Sequence, residues 1–374
     1  MVEIDPGAKK VRVRDLESGK DTRESFDRLI IATGAKPRPL NLPGCRSSNI
    51  FRLKFLDDAI RLKKFIDAEK PRRAVSVGAG FIALEMAEAF KARGIENTIF
   101  HNGLLPGGRL EPEISGLILK ELESQGVEFV PRAEVRGFEE DGGGRARALI
   151  TAAGSHPADL FLVSVGVAPE VELAQNAGVA LGPTGAIAVN ERQETNIPGI
   201  FAAGDCCEVR HRVSGRPIHL PLGDAANKQG WVAGENAAGG DATYPGVLGS
   251  AHFKCFDLEV GQTGLGVKEA EELGYSVFAP VIEDASRTRI YPGSRPILIK
   301  LIIDRKSHIL LGAQVAGRDG AALRINTLAV AVYKRMTVDE LSELDFAYAP
   351  PFSPVIDPIL VAARVASKEL AGEK

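Results

Sequence analysis

VSVGAGFIALEMAEAF, Val75 to Phe90, is the stretch on which the fold turns. A short apolar run delivers Gly78 and Gly80, and an apolar pattern of helical period opens directly behind them. Gly78 permits a tight turn, and Gly80 lets a pyrophosphate approach the backbone. Ala83 takes the third position of a GxGxxG/A fingerprint, where a small side chain lets helix and strand pack closely. Phe81 and Ile82 fall in the first helical turn, whose free N–H groups and partial positive charge attract an anion. Strand, glycine turn and helix in this order specify a dinucleotide-binding α/β unit.

The neighbouring sequence extends that unit. Asp57 to Ala68 carries apolar residues at helical spacing, Thr98 to Phe100 is the next strand, a helix is expected from about Glu113 to Gln125, and Val127 to Pro131 closes another unit. Gly142 to Gly144 reads as a hairpin tip, and the apolar strand Leu160 to Val165 leads out toward Gly166. On the other side, Pro37, Pro39 and Pro43 exclude both helix and central strand, so a boundary falls there. Before it, Val11 to Val13, a turn at Ser18 and Gly19, and Leu29 to Ala32 read as a hairpin entering a buried strand that ends at Thr33 and Gly34. Beyond Pro245 the strands Ile297 to Ile303 and Ile309 to Val315 and a helix from Ala321 to Lys334 suggest an α+β domain.

Composition narrows the function. The chain has 374 residues, 44% of them hydrophobic, and a formal net charge of -3, without the basic stripe that a phosphate backbone requires. Nucleic acid is therefore not an expected partner. No charged leader with an apolar run is visible, and no stretch approaches the roughly 18 apolar residues of a membrane span, so a cytoplasmic location without a membrane is expected. The four cysteines, Cys45, Cys206, Cys207 and Cys255, form no CxxC pair, and no metal site is expected. Adjacent Cys206 and Cys207 invite a redox reading, against which stands the frequency of small buried thiols near tight turns. His211, His219, His252 and His308 lie in separate segments and support no hydrolytic triad.

The choice between NAD and NADP usually rests on an acidic residue at the end of the strand after the fingerprint. His101 and Asn102 stand there. Without a carboxylate to repel a 2'-phosphate, NADPH is tolerated, and a donor at His101 tilts the expectation toward it; an ordinary loop is the other reading. A second constellation is TNIPGIFAAGDCCEV, Thr195 to Val209, in which a strand delivers Gly204 and then Asp205. A carboxylate fixed there can accept a hydrogen bond from a polyol. With IIATG, Ile30 to Gly34, it suggests a second dinucleotide site.

FDRLIIATGAKPR, the fingerprint, TNIPGIFAAGD, HLPLGDAANKQG (His219 to Gly230) and AYAPPFSPVIDP (Ala347 to Pro358) occur in the order and spacing of the pyridine nucleotide-disulfide oxidoreductases, which this chain resembles along nearly its whole length. The last two look like the branch containing CoA-disulfide reductases and NADH oxidases. The resemblance implies an α/β fold in which an FAD-binding Rossmann-like domain (1–36 and 166–245) is interrupted by an NAD(P)-binding Rossmann domain (37–165) and followed by an α+β dimerisation domain (246–374). It implies that Thr33 and Gly34 line the flavin, that Gly204 and Asp205 hold it through the ribityl chain, and that Pro221, Leu222 and Asn227 lie near its ring. Gly78, Gly80, Phe81, Ile82, Ala83, His101 and Gly166 would serve NAD(P)H. Glu85 would point toward the nicotinamide, and Tyr348, with Asn227, would hold the substrate; a buried, dimer-packing Tyr348 is the other reading.

The implied enzyme is a cytoplasmic homodimer passing electrons from NAD(P)H through FAD to a small disulfide such as CoA disulfide, or to oxygen or peroxide. The chain departs from the family pattern in showing neither a second GxGxxG nor the expected redox cysteine upstream of its first hairpin. The FAD-binding domain is therefore read as N-terminally incomplete, by a misplaced start or a real truncation. The rival reading is a flavin-free, non-catalytic dimer that binds a nicotinamide nucleotide.

Overall fold

The computed structural model describes residues 1–372; the last two positions of the expected 246–374 segment lie outside the described residues. The chain divides into two compact units, one built from Met1–Lys36 and Val167–Val247, the other from Pro37–Gly166 and Leu248–Lys374.

In the first unit, strands Glu3–Asp5, Lys10–Arg14 and Asp21–Ser25 form an antiparallel sheet. Arg12 and Arg14 both reach Asp21 across it, and Arg12 also reaches Glu3. Ile4 and Val11 turn inward to a core with Ile31, Ile187, Ile200 and Ala202. Strand Leu29–Ile31 pairs in parallel with Ile200–Ala202. The expected buried strand at Leu29 to Ala32 is only half buried, since Ile31 is enclosed while Ile30 is 39% exposed. Alternate side chains of a strand face opposite ways, and only one of the two faces is covered. Cys206 and Cys207 are buried in the same core as free thiols, with their sulfurs 3.6 Å apart.

In the second unit, a five-stranded parallel sheet runs in the order Ile50–Phe51, Leu160–Val163, Arg73–Val77, Glu96–Phe100, Glu128–Val130. Ala74, Val75 and Val77 are all buried, as strands covered on both faces must be. Helices Leu56–Glu69, Phe81–Lys91 and Pro112–Ser124 accompany this sheet, and the hairpin Val135–Glu140 with Ala146–Thr151 adds an antiparallel ribbon. The C-terminal part is an antiparallel sheet centred on Leu310–Gly317 and Pro296–Asp304, carrying helices Ala321–Lys334 and Pro358–Gly372. One core joins the two parts: Leu84 and Ala87 of the fingerprint helix and Ile114, Ile118 and Leu122 of the next helix pack with Phe253, Val260 and Ala316. Among the described residues, no helix is long and apolar enough to cross a membrane.

Candidate functional site

Strand Arg73–Val77 ends in Gly78, whose φ of +101° only glycine adopts without strain, and whose N–H donates to Phe100 O at 2.8 Å. Gly80 then caps the helix Phe81–Lys91 with no side chain bonded to its first N–H groups. A Cβ placed on Gly80 would meet no protein atom within 4 Å, so the space over the helix N-terminus is open. That vacancy, free N–H groups and a helix dipole together suit a pyrophosphate.

The turn opens onto a groove of about 530 Å³. Its lining brings together Gly78, Gly80, His101 and Gly166 of the expected residues, with Asn102, Ser164 and Glu134 among the others. Phe81, Ile82, Ala83 and Glu85 are outside it. Phe81 stacks on Phe253 with ring centroids 4.5 Å apart, Ala83 is fully buried, and Ile82 and Glu85 sit on the exposed side of the helix. Burial and the nearby Glu88 raise the Glu85 carboxyl above its ordinary value.

His101 lines the groove, with its ring packed locally. Burial alone lowers its pKa, and a Cβ on Gly103 would come within 2.6 Å of its Nε2, so the ring lies against that glycine. Near pH 7 it is a neutral imidazole, which can still donate one N–H to a phosphate but brings no positive charge to it.

The loop from His101 to Glu111 is held at several points. Gly107 N donates to Ala79 O at 2.9 Å, and Ser115 Oγ to Pro106 O at 2.8 Å. Gln314, a buried residue of the C-terminal sheet, accepts from Glu111 N at 2.7 Å and donates to Arg109 O at 3.1 Å. Beside it, Lys300 sits between Glu111 (3.0 Å) and Glu113 (2.8 Å). Replacing Gln314 with methionine keeps its volume and removes both bonds, leaving the buried Glu111 N–H unpaired at about 1–3 kcal/mol and the part-buried Arg109 carbonyl without its donor. The expected result is a several-fold weaker NADH complex and a lower Tm, read by nucleotide fluorescence titration and thermal melting. An unaltered dissociation constant would show that the loop holds its shape without the clasp.

In the first unit, Gly34 (φ +73°) and Gly204 (φ +84°) end the two parallel strands in left-handed turns. Thr33 Oγ1 donates to Glu170 O, and Glu170 N to Gly34 O. His219 Nε2 donates to the Asp205 carbonyl at 2.8 Å, so the imidazole fixes that turn from Nε2. Pro221 and Leu222 lead into helix Gly223–Ala237, whose N-cap, Leu222, gives no side-chain bond, and Asn227 lies on the exposed face of that helix. Buried Gln229 accepts from Gly204 N at 3.0 Å and donates to Glu208 O at 3.1 Å. Tyr348, in the second unit, is 46% exposed in the single chain rather than buried.

Sequence reading passed over Gln229, Gln314 and Glu134. Gln229 stood inside the quoted HLPLGDAANKQG motif and was detectable there as a polar residue on the inward face of a helix.

A glycine turn at a helix N-terminus over a groove, in a parallel sheet with an attached antiparallel domain, defines a dinucleotide-binding fold. Residues 1–230 match the family described as pyridine nucleotide-disulphide oxidoreductase, and residues 250–358 match the dimerisation domain of that family; the chain belongs to it. Its relatives include the NAD(P)H coenzyme A polysulfide/persulfide reductase of Pyrococcus horikoshii, 37% identical over 98% of this chain and 80% of the relative. An NADH oxidase of Methanocaldococcus jannaschii is 33% identical over all of this chain and 82% of its own length. The crystal structure of reduced Bacillus anthracis CoADR-RHD superposes with a TM-score of 0.95 at 34% identity; it is the longer molecule, and this chain, 99% covered, spans 66% of it.

Proposed function

We propose that the chain takes hydride from NAD(P)H onto FAD and delivers the electrons to a small sulfur compound, a coenzyme A disulfide or persulfide. For a disulfide the balance is NAD(P)H + H⁺ + RSSR → NAD(P)⁺ + 2 RSH. The bound flavin supplies the two-electron relay. Support comes above all from the likeness to the coenzyme A polysulfide/persulfide reductase over 98% of the chain. The likeness to the NADH oxidase favours a second reading, in which oxygen is the acceptor.

The nicotinamide nucleotide has a glycine turn for its pyrophosphate, whereas the flavin has residues for its ribityl chain and ring but no second GxGxxG turn in this chain. In the nucleotide groove, Gly78 and Gly80 admit the pyrophosphate and the first N–H groups of the fingerprint helix hold it, while Glu85, outside the groove on the exposed side of that helix, would serve the nicotinamide end. For the flavin, Thr33, Gly34, Gly204 and Asp205 provide close backbone approach and one carboxylate, with the N-terminus of helix Gly223–Ala237, which follows Pro221 and Leu222 and has no side-chain cap, offering N–H groups. In domain terms, residues 1–36 and 166–245 bind FAD, 37–165 bind NAD(P)H, and the rest mediates dimerisation. Leu323 and Val330, seven apart on one helix face, and Phe352 and Val355 are 60–79% exposed, as a homodimer contact requires.

Protein loaded with FAD should be yellow, and NADH or NADPH should bleach its absorbance under anaerobic conditions. Coenzyme A disulfide, a persulfide and oxygen are then offered separately as acceptors. Reoxidation by oxygen alone selects the second reading, and a flavin that neither nucleotide reduces rules out both. Tyr348→Phe is expected to lower kcat/KM for the sulfur substrate by about tenfold, the value of one hydrogen bond, and to leave flavin reduction by NADH unchanged. An equal fall in both would remove Tyr348 from substrate binding.

A further inference from the structure

Resting on the reading of the groove as an NAD(P)H site, we propose that it selects NADH over NADPH and that Glu134 sets the preference. Of the residues lining the groove, Glu134 is the only one that carries a charge near neutral pH, and no lysine or arginine is among them. The backbone places it. His101 N donates to Val130 O at 3.0 Å, Ala133 N to His101 O at 2.8 Å and Arg132 N to Gly103 O at 2.9 Å, so the segment after strand Glu128–Val130 runs beside the end of strand Glu96–Phe100. Arg132, in the left-handed region at φ 52°, makes the turn that brings this about. Glu134 is then anchored from the other side by Ala152 N, which donates to its carbonyl at 3.0 Å. The carboxylate missing from the end of the strand after the fingerprint is thus supplied from the next strand's exit.

The consequence is electrostatic. NADPH adds a phosphate of nearly two negative charges to the adenosine ribose, and NADP sites meet it with a cation. This groove offers a neutral imidazole at His101, an amide at Asn102 and a carboxylate at Glu134. Arg136 Nε stands 3.3 Å from Glu134 Oε1, but both side chains are more than half exposed, so their mutual attraction is largely screened and the arginine is not part of the lining. The ribose hydroxyls of NADH, by contrast, are donors that a carboxylate accepts.

Fluorescence titration with NADH and with NADPH tests this on the FAD-loaded protein. Wild type is expected to bind NADH about tenfold more tightly or better, the span of one charge-assisted contact. Glu134→Gln should bring that ratio down about tenfold, chiefly by tightening NADPH, and Glu134→Arg should invert it, both at unchanged Tm because the side chain is exposed. Arg136→Gln should leave the preference for NADH in place. A wild type that prefers NADPH, or a ratio that Glu134→Gln does not move, overturns the inference while the nucleotide site itself stands. If neither nucleotide binds, the site reading fails and this inference with it.

Discussion

Gly80→Val is expected to leave the chain folded and remove NAD(P)H binding, raising the dissociation constant by about a hundredfold or more. Gly80 is in extended backbone, with φ -81° and ψ -177°, which any residue adopts, and its missing Cβ faces empty space. A valine there meets no protein; it occupies the room through which a pyrophosphate reaches the helix N-terminus. Losing several N–H to phosphate bonds, each about 1.5–3 kcal/mol when one partner is charged, accounts for two orders of magnitude or more. Gly78→Ala behaves differently. Its Cβ would come within 2.4 Å of Ser164 O, a backbone atom, in a conformation that L-residues avoid, so it lowers the Tm as well as the affinity. The pair separates ligand space from fold space. Wild-type NADH affinity in a folded Gly80→Val protein would move the pyrophosphate to another part of the groove.

What the sequence shows of this molecule is whatever rests on local spacing. The fingerprint, the hairpin tip at Gly142 to Gly144 and the helix Ala321–Lys334 are all set by residues within a few positions of one another, and the last has the bounds its periodicity predicts. Contacts between distant segments are not legible in that way. Gln314 bonds to Arg109 and Glu111 some two hundred residues away, and nothing about a glutamine in an apolar strand says which loop it will hold. Glu134 is equally silent, because an acidic residue is sought at the end of one strand and is delivered by the turn after its neighbour. His101 shows a different limit. Its position was plain, but its charge state depends on burial by residues that fold around it. The match between the fingerprint helix and Phe253, which stacks on Phe81, likewise belongs to the tertiary structure alone.

Arg324→Met is expected to destabilise the second unit by about 3–5 kcal/mol, the cost of stripping the partner from a buried charge. Arg324, on helix Ala321–Lys334, and Asp357, just before helix Pro358–Gly372, are each only 11% exposed and meet at 2.8 Å. The guanidinium also donates to Ser286 O at 3.0 Å and Gly320 O at 3.1 Å, while Ser353 Oγ and Ile359 N donate to the carboxylate. Methionine fills the volume and satisfies none of these acceptors. Asp357 is the next-to-last residue of the AYAPPFSPVIDP segment, which also carries Tyr348. Next to it, Asp319 is bonded by Arg287 and Ser286, which outweigh its burial and hold its carboxyl below the usual range. A carboxyl whose folded-state value is depressed stabilises the fold above its unfolded value, near pH 4, and loses that contribution as the pH falls through the folded one. Wild type should therefore weaken below about pH 4, and Asp319→Asn should show a shallower acid slope. Denaturant unfolding followed by far-UV circular dichroism reads all three. Arg324→Met combined with Asp357→Leu should recover much of the loss, since an apolar pair leaves no orphaned charge. If the double variant is no more stable than Arg324→Met alone, the arginine contributes through its bonds to Ser286 and Gly320 rather than through the ion pair.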